Sequence, residues 1–227
     1  MTEMTTMYPD DRSAGHLYHF LNAVIAPRPI AWISSLSPSG HLNLAPHSYT
    51  TVVSPNPPMV CFVSIGRKDS LNNIEATREF VYNIGGRHLV ERINRTAADY
   101  PPDVSEFEWA GLTPRASEKI AVPRVAEAAV QMEATLNQVV RISDTDNHIV
   151  IGEVVVIHVA SAILVDGRVS TAKLDPVGRL AGSDYATFGE VFSLRRPTWQ
   201  GLREAGEEPM APFTEPAVHP SDDGESE

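Results

Sequence analysis

Apolar and polar residues recur at strand spacing through most of residues 30–159, either alternating or gathered in short apolar blocks. Ile30 to Leu36 is a β-branched and aromatic run. Ser37-Pro38-Ser39-Gly40 then supplies turn chemistry, because proline fixes φ and glycine accepts positive φ, and Leu42 to Ala45 returns as a short strand. Tyr49 to Ser54 and Met59 to Ile65 read as two more strands, parted by the breaker Pro55-Asn56-Pro57-Pro58. Asp69 or Ser70 offers an acceptor to free amides two or three residues on, so the pattern predicts a helix there, with Leu71 and Ile74 inward and an end near Arg78. Phe80 to Ile84 is a strand stopped by Gly85-Gly86, and Leu89 to Thr96 has helical spacing through Leu89, Val90 and Ile93.

Residues 97–123 break the pattern. Pro101, Pro102, Pro114 and Pro123 predict a long surface excursion with a helical turn near Val104, and such loops are often functional. Strand period then resumes: Ala128 to Ile142 alternates through Val130, Met132, Ala134 and Leu136, and Ile149 to Val159 is almost continuously apolar. Asp144-Thr145-Asp146-Asn147 between them makes a hairpin turn. Strands with two or three short helices predict a mainly β fold, a closed barrel and not a βαβ sheet.

The ends differ from this body. Residues 1–14 are polar, rich in Met and Thr and without period, which predicts a flexible arm ahead of a domain at 15–203. Residues 204–227 are rich in Pro, Glu, Ala and Asp. Such a segment buries too little apolar surface to offset its ordering entropy, so it is expected to be disordered. That tail holds eight acidic residues and no Lys or Arg; removing them from the formal net charge of -11 leaves -3 on the body. A mildly acidic body with no basic stripe or polybasic helix predicts neither a nucleic-acid partner nor a membrane partner. The single cysteine, Cys61, lies in the apolar run Met59 to Val63, reads as a small buried hydrophobe, and excludes an intramolecular disulfide. No apolar run reaches the ~20 residues of a membrane helix, and no basic-then-apolar leader opens the chain, so a cytoplasmic protein is expected.

Two segments carry candidate chemistry. From Ser64 to Asn73 a strand delivers Ser64, then Arg67 and Lys68, then a helix start at Asp69-Ser70. Exposed amides, two cations and a hydroxyl make a phosphate cradle, although the Asp69 carboxylate opposes an anion. Taken alone, the segment is better described as a capped surface helix with two solvated cations. Asn43 to Tyr49 places Pro46, which lacks an amide donor, beside His47 and Ser48. Irregular backbone at a barrel rim can face a heteroaromatic ring edge, but taken alone the segment is better described as an ordinary strand connection. The histidines show no metal-ligand spacing, and no metal site is expected. No G-x-S-x-G elbow supports a hydrolase.

The ordered set changes this balance. Arg28-Pro29-Ile30-Ala31-Trp32-Ile33-Ser34-Ser35, Asn43 to Tyr49, Pro57-Pro58-Met59-Val60, Ser64 to Ile74 and Phe80-Val81-Tyr82-Asn83 together resemble the flavin-reductase-like family, whose fold is the FMN-binding split β-barrel. The resemblance implies an NAD(P)H:flavin oxidoreductase that uses FMN, with NADH or NADPH as co-substrate. It implies a homodimer serving a flavin-dependent monooxygenase or another electron acceptor. By position it implies cofactor contacts at Ser34, Ser35, Asn43, Ala45, His47, Ser48, Ser64, Arg67, Lys68, Asp69, Ser70 and Asn73. His148, in an Asp-Asn-His turn similar to one common in the family, is a candidate catalytic residue near a stacking nicotinamide, or else a solvated turn residue. Arg179-Leu180-Ala181-Gly182-Ser183-Asp184-Tyr185 resembles a subgroup signature, which makes Arg179 and Tyr185 candidates for the cofactor pocket or for a clamp at a dimer interface. Direct action of bound FMN on a small organic substrate, or non-enzymatic electron carriage, fits the same fold.

Overall fold

The computed structural model describes residues 4–210. Its contacts divide the chain into two units, Met1–Gly189 and Glu190–Glu227. In the first unit, helix α1 (Ala14–Val24) is followed by β1 (Ala31–Leu36), β2 (Leu42–His47), β3 (Thr50–Pro55), β4 (Pro58–Ile65), α2 (Asp69–Thr77), β5 (Glu79–Ile84), α3 (Val90–Arg95) and α4 (Glu106–Trp109). Two-residue strands β6 (Pro114–Arg115) and β7 (Arg124–Val125) precede the long hairpin β8 (Val130–Arg141) and β9 (Asn147–Val159). Short pieces close the unit: β10 (Leu164–Val165), β11 (Arg168–Val169), α5 (Thr171–Leu174), β12 (Val177–Arg179) and β13 (Tyr185–Thr187). The second unit contains one described helix, α6 (Trp199–Glu204), capped by the Thr198 hydroxyl on the Gly201 amide. Of the tail expected to be disordered, residues 211–227 lie outside the described residues, as do residues 1–3 of the arm.

Seven strands form one antiparallel sheet in the order β2-β1-β5-β8-β9-β4-β3. Its two edges, β2 and β3, are consecutive in sequence and separated only by Ser48 and Tyr49. A link that short spans roughly 10 Å, so the sheet must curl until its edges meet. The Val63 amide reaches the Tyr49 carbonyl at 2.8 Å beside this seam. The result is the split barrel, and its seam lies at Ser48 and Tyr49.

The core explains the continuous apolar runs. On β1, Ala31 and Ile33 face the barrel interior with Phe62, Phe80 and Val150, while Trp32 between them packs outward against Leu89, Ile93 and Phe107. A strand buried on both faces cannot alternate. Helix α2 plugs the interior with Leu71 and Ile74, each fully buried. Burying each such side chain contributes about 1.5–3 kcal/mol. Gly152 on β9 is required by packing: a Cβ there would sit 2.3 Å from Phe80 Cζ.

Two expectations need correction. Residues 97–123 are not simply a surface excursion, for Phe107, Leu112 and Val122 are buried. The segment is pinned by the fully buried Glu133 carboxylate, which accepts from the Glu118 amide (2.7 Å), the Lys119 amide (2.8 Å) and His158 Nε2 (2.7 Å). Burial alone would raise the Glu133 carboxyl, but those donors hold it below its ordinary value. Helix α2 is also not capped by Asp69 or Ser70. Lys68 is its N-cap residue and has no acceptor to offer the first-turn amides, while the Ser70 hydroxyl is drawn into the barrel rim. A helix absent from the sequence reading, α1, is started by Ser13, whose hydroxyl accepts from the His16 amide at 3.2 Å.

Candidate functional site

The seam opens into a cavity of about 420 Å³, a size within the ~300–1,000 Å³ usual for small-molecule sites. One wall is the rim itself, with Asn43, Ala45, His47, Ser48 and Tyr49. A second is the start of α2, with Arg67, Lys68, Asp69 and Ser70. The third comes from the chain after α3, Thr96 to Tyr100, and from Glu106 on α4; Tyr18 of α1 completes it. The two segments that carried candidate chemistry in the sequence thus face one space, because closing the barrel brings the end of β4 beside the end of β2.

The floor is a connected polar network. Glu106 is buried and accepts from Asn43 Nδ2 and from the Leu44 amide, each at 2.9 Å. Asn43 Oδ1 accepts from Ser70 Oγ (3.0 Å) and Ser35 Oγ (3.1 Å), and Ser35 Oγ accepts from Asn73 Nδ2 (3.2 Å). Ser35 and Asn73 therefore support the floor from behind and do not line the cavity. Burial pushes the Glu106 carboxyl up, against the pull of its own donors, and nearby Asp69 adds to the rise. His47 lies between Phe62, with ring centroids 4.5 Å apart, and the cavity. Burial lowers its pKa from 6.5 to about 4, and Lys68 adds to the fall, so at neutral pH the ring is uncharged. Its Nδ1 contacts the Val63 carbonyl at 3.3 Å, which can only accept, so Nδ1 carries the proton and Nε2, 3.5 Å from Ser70 Oγ, is left as an acceptor.

The cations stand at the other end. Lys68 Nζ lies 3.5 Å from Asp99 Oδ1, and Arg67 pairs with Glu75; all four side chains are at least a third exposed. The uncapped first turn of the nine-residue α2 leaves backbone donors beside Lys68. The Arg67 amide donates to Asp146 Oδ2 at 3.3 Å, which ties this turn to the β8–β9 hairpin. A neutral, acceptor-bearing rim and a cationic helix start in one cavity suit a flat polar heterocycle with a phosphate tail. Asp69 remains an opposing charge within the same wall.

Other sequence candidates fall elsewhere. Ser64 is fully buried and donates to the Gly66 carbonyl, shaping the turn before α2. Ser34 donates to the Pro123 carbonyl, which places it in the outer packing of β1. His148 is buried, not solvated; its ring contacts the Asp146 carbonyl at 3.0 Å, its backbone pairs with Ser64, and it does not line the cavity. Arg179 stacks on Tyr185 at 4.5 Å from the ring centroid, and the Tyr185 hydroxyl donates to Asn94, so this pair folds on itself and does not line the cavity either. Sequence reading missed Glu106, whose two-residue spacing from Glu108 carries no signal, and it missed Tyr18 and the Thr96–Tyr100 wall.

Comparison with known proteins gives a consistent picture. The family model described as "Flavin reductase like domain" matches residues 24–172. An uncharacterized protein of Halalkalibacterium halodurans is 37% identical over 206 residues, covering 86% of this chain and 98% of that protein. Nitrilotriacetate monooxygenase component B from Bacillus cereus superposes with a TM-score of 0.82 at 39% identity, covering 86% of this chain and all of that one. The 2-nitrobenzoate 2-nitroreductase of Pseudomonas fluorescens superposes with a TM-score of 0.77 at 28% identity, covering 86% and 98%.

Proposed function

The chain belongs to the flavin reductase-like family, and from that premise we propose that it binds FMN in the seam cavity and is an oxidoreductase passing hydride from NADH or NADPH to flavin. The observation that carries this reading is the pairing, in one cavity, of a neutral rim at Ala45 to Ser48 with the Lys68 and Arg67 end of α2. When bound, flavin supplies the redox chemistry by accepting hydride at its N5. The protein's part is binding and orientation. Lys68, Arg67 and the first-turn amides of α2 would hold a terminal phosphate. His47 Nε2 and the rim backbone would meet the ring edge, and the apolar packing behind His47 keeps water from that side.

The electrons would go to a partner monooxygenase or another acceptor; a similar protein whose name makes it one component of a monooxygenase supports this. Likeness to a nitroreductase supports a second reading, in which bound FMN reduces a small organic substrate directly. We read the active form as a homodimer, since α1 leaves Tyr18, Leu21, Val24 and Ile25 exposed, and a cytoplasmic setting fits a nicotinamide-dependent reductase.

The test is anaerobic titration of FMN-loaded protein with NADH and NADPH, followed by the absorbance of oxidised flavin. Bleaching by either nicotinamide is expected, and no bleaching by both overturns the reading. Repeating the assay with nitroaromatic and free-flavin acceptors separates the two uses of the electrons.

A further inference from the structure

Glu106 leads to His47 through a chain of polar contacts whose two ends are both fixed by backbone groups, the Leu44 amide and the Val63 carbonyl. The Leu44 backbone amide donates to Glu106 Oε2 at 2.9 Å, and a backbone amide cannot turn round. The remaining oxygen, Oε1, accepts from Asn43 Nδ2, also at 2.9 Å. That choice forces the Asn43 carbonyl toward the two serines, where it accepts from Ser70 Oγ at 3.0 Å and Ser35 Oγ at 3.1 Å. Ser70 has one proton and gives it to Asn43, so it has none for His47. The Ser70 Oγ to His47 Nε2 separation of 3.5 Å, the longest link of the chain, lies at the outer limit of a hydrogen bond, as expected of a hydroxyl whose proton is given elsewhere. His47 Nδ1 holds the ring proton against the Val63 carbonyl.

We propose that Glu106 is a positioning residue that sets the polarity of the Glu106–Asn43–Ser70–His47 chain, so that His47 Nε2 is presented to the cavity as an unused acceptor. The site thereby selects a ligand that offers an N–H donor at this point over one that offers a carbonyl. This rests on the flavin reading for the identity of the ligand, but the polarity itself is a property of the ligand-free protein. In Glu106→Gln the side chain keeps its shape and gains an NH₂. Its oxygen must serve the Leu44 amide, since two donors cannot face each other. Its NH₂ then faces Asn43, whose amide turns over, and Asn43 Nδ2 donates to Ser70. The Ser70 proton is released toward His47 Nε2, and the acceptor is consumed inside the protein.

The test is nitrogen-15 NMR of the His47 ring in ligand-free protein at neutral pH. In the wild type, Nδ1 is expected protonated and Nε2 bare. In Glu106→Gln, the Nε2 resonance is expected to move toward shielding, and adding Ser70→Ala to that variant should return it to the wild-type position. Ser70→Ala alone should leave it unmoved. An unmoved Nε2 in Glu106→Gln, or a moved one in Ser70→Ala alone, overturns the proposal; the second holds even if the first variant fails to fold. Riboflavin should bind Glu106→Gln about fivefold more weakly, as for loss of one hydrogen bond. Riboflavin that fails to bind the wild type would count against the flavin reading and leave the NMR result standing.

Discussion

Arg28 Nε lies 3.4 Å from Ser48 Oγ, which joins a residue ahead of the first strand to the two-residue link that closes the barrel. The same guanidinium donates to the Asn22 carbonyl at 2.7 Å and to the Leu180 carbonyl at 2.8 Å, and it lies 5.8 Å from the Tyr49 ring centroid. Tyr49 in turn donates from its hydroxyl to Asn22 Oδ1 at 3.0 Å. One buried side chain thus gathers the end of α1, the seam and the segment after β12 into the back of the cavity wall. Arg28→Met should cost about 2–4 kcal/mol, because it removes the donors to the Asn22 carbonyl, in a buried bond, and to the part-buried Leu180 carbonyl. Arg28→Lys should recover only part of this, since an ammonium cannot reproduce the planar fork. Chemical denaturation of the three proteins checks the order; equal stability of wild type and Met variant would remove Arg28 from this role.

Lys68 should distinguish flavins by their phosphate. Lys68→Ala is expected to weaken FMN binding by roughly 1.5–3 kcal/mol and to leave riboflavin binding nearly unchanged. Asp99→Asn should act oppositely and weakly, strengthening FMN binding by about 0.5 kcal/mol at most, since the exposed Lys68–Asp99 pair is well screened. Calorimetric titration with both flavins reads both effects, and FAD should bind less tightly than FMN. A Lys68→Ala loss of equal size for riboflavin would put the phosphate elsewhere.

His47 should make folding stability depend on pH. Its pKa falls from 6.5 to about 4 on folding. Between those values the unfolded chain binds a proton that the folded chain refuses, so stability rises with pH across this window and is lost on acidification. The full effect is on the order of 3 kcal/mol. Glu106, raised by burial, acts in the opposite sense at overlapping pH. The difference between wild type and His47→Gln, measured by urea unfolding from pH 7 to pH 4, isolates the histidine. Parallel curves for the two proteins would contradict a buried neutral ring.

Helix α1 should govern association. Leu21 of α1 and Ile25, the residue that follows its last turn, are half or more exposed, and Tyr18 of the same helix lines the cavity. Leu21→Lys with Ile25→Lys is expected to shift sedimentation from dimer toward monomer and to release FMN in parallel. Monomeric protein that retains stoichiometric FMN at micromolar concentration would show that one chain suffices.

Much of the barrel was legible along the chain because strand period, turn chemistry and helix period are local properties. Met59 to Ile65, Phe80 to Ile84 and the hairpin around Asp144 to Asn147 fall within a few residues of β4, β5 and the β8–β9 turn. The family, too, was written in the order of short motifs, and its match to residues 24–172 agrees with that reading. The fate of individual polar residues was not legible, since it depends on partners far away in sequence. Glu106 binds Asn43 across 63 residues, and Glu133 anchors the 97–123 segment through the amides of Glu118 and Lys119. Ser70 looks like a helix cap until Asn43 is beside it. His47 becomes a neutral acceptor only when Phe62 and the Val63 carbonyl surround its ring. The sequence by itself determined which segments are strands and which family they make. Closure of the sheet edges at Ser48 and Tyr49 decided which side chains share a cavity, because burial, charge state and hydrogen-bond direction arise only between groups that folding has brought together.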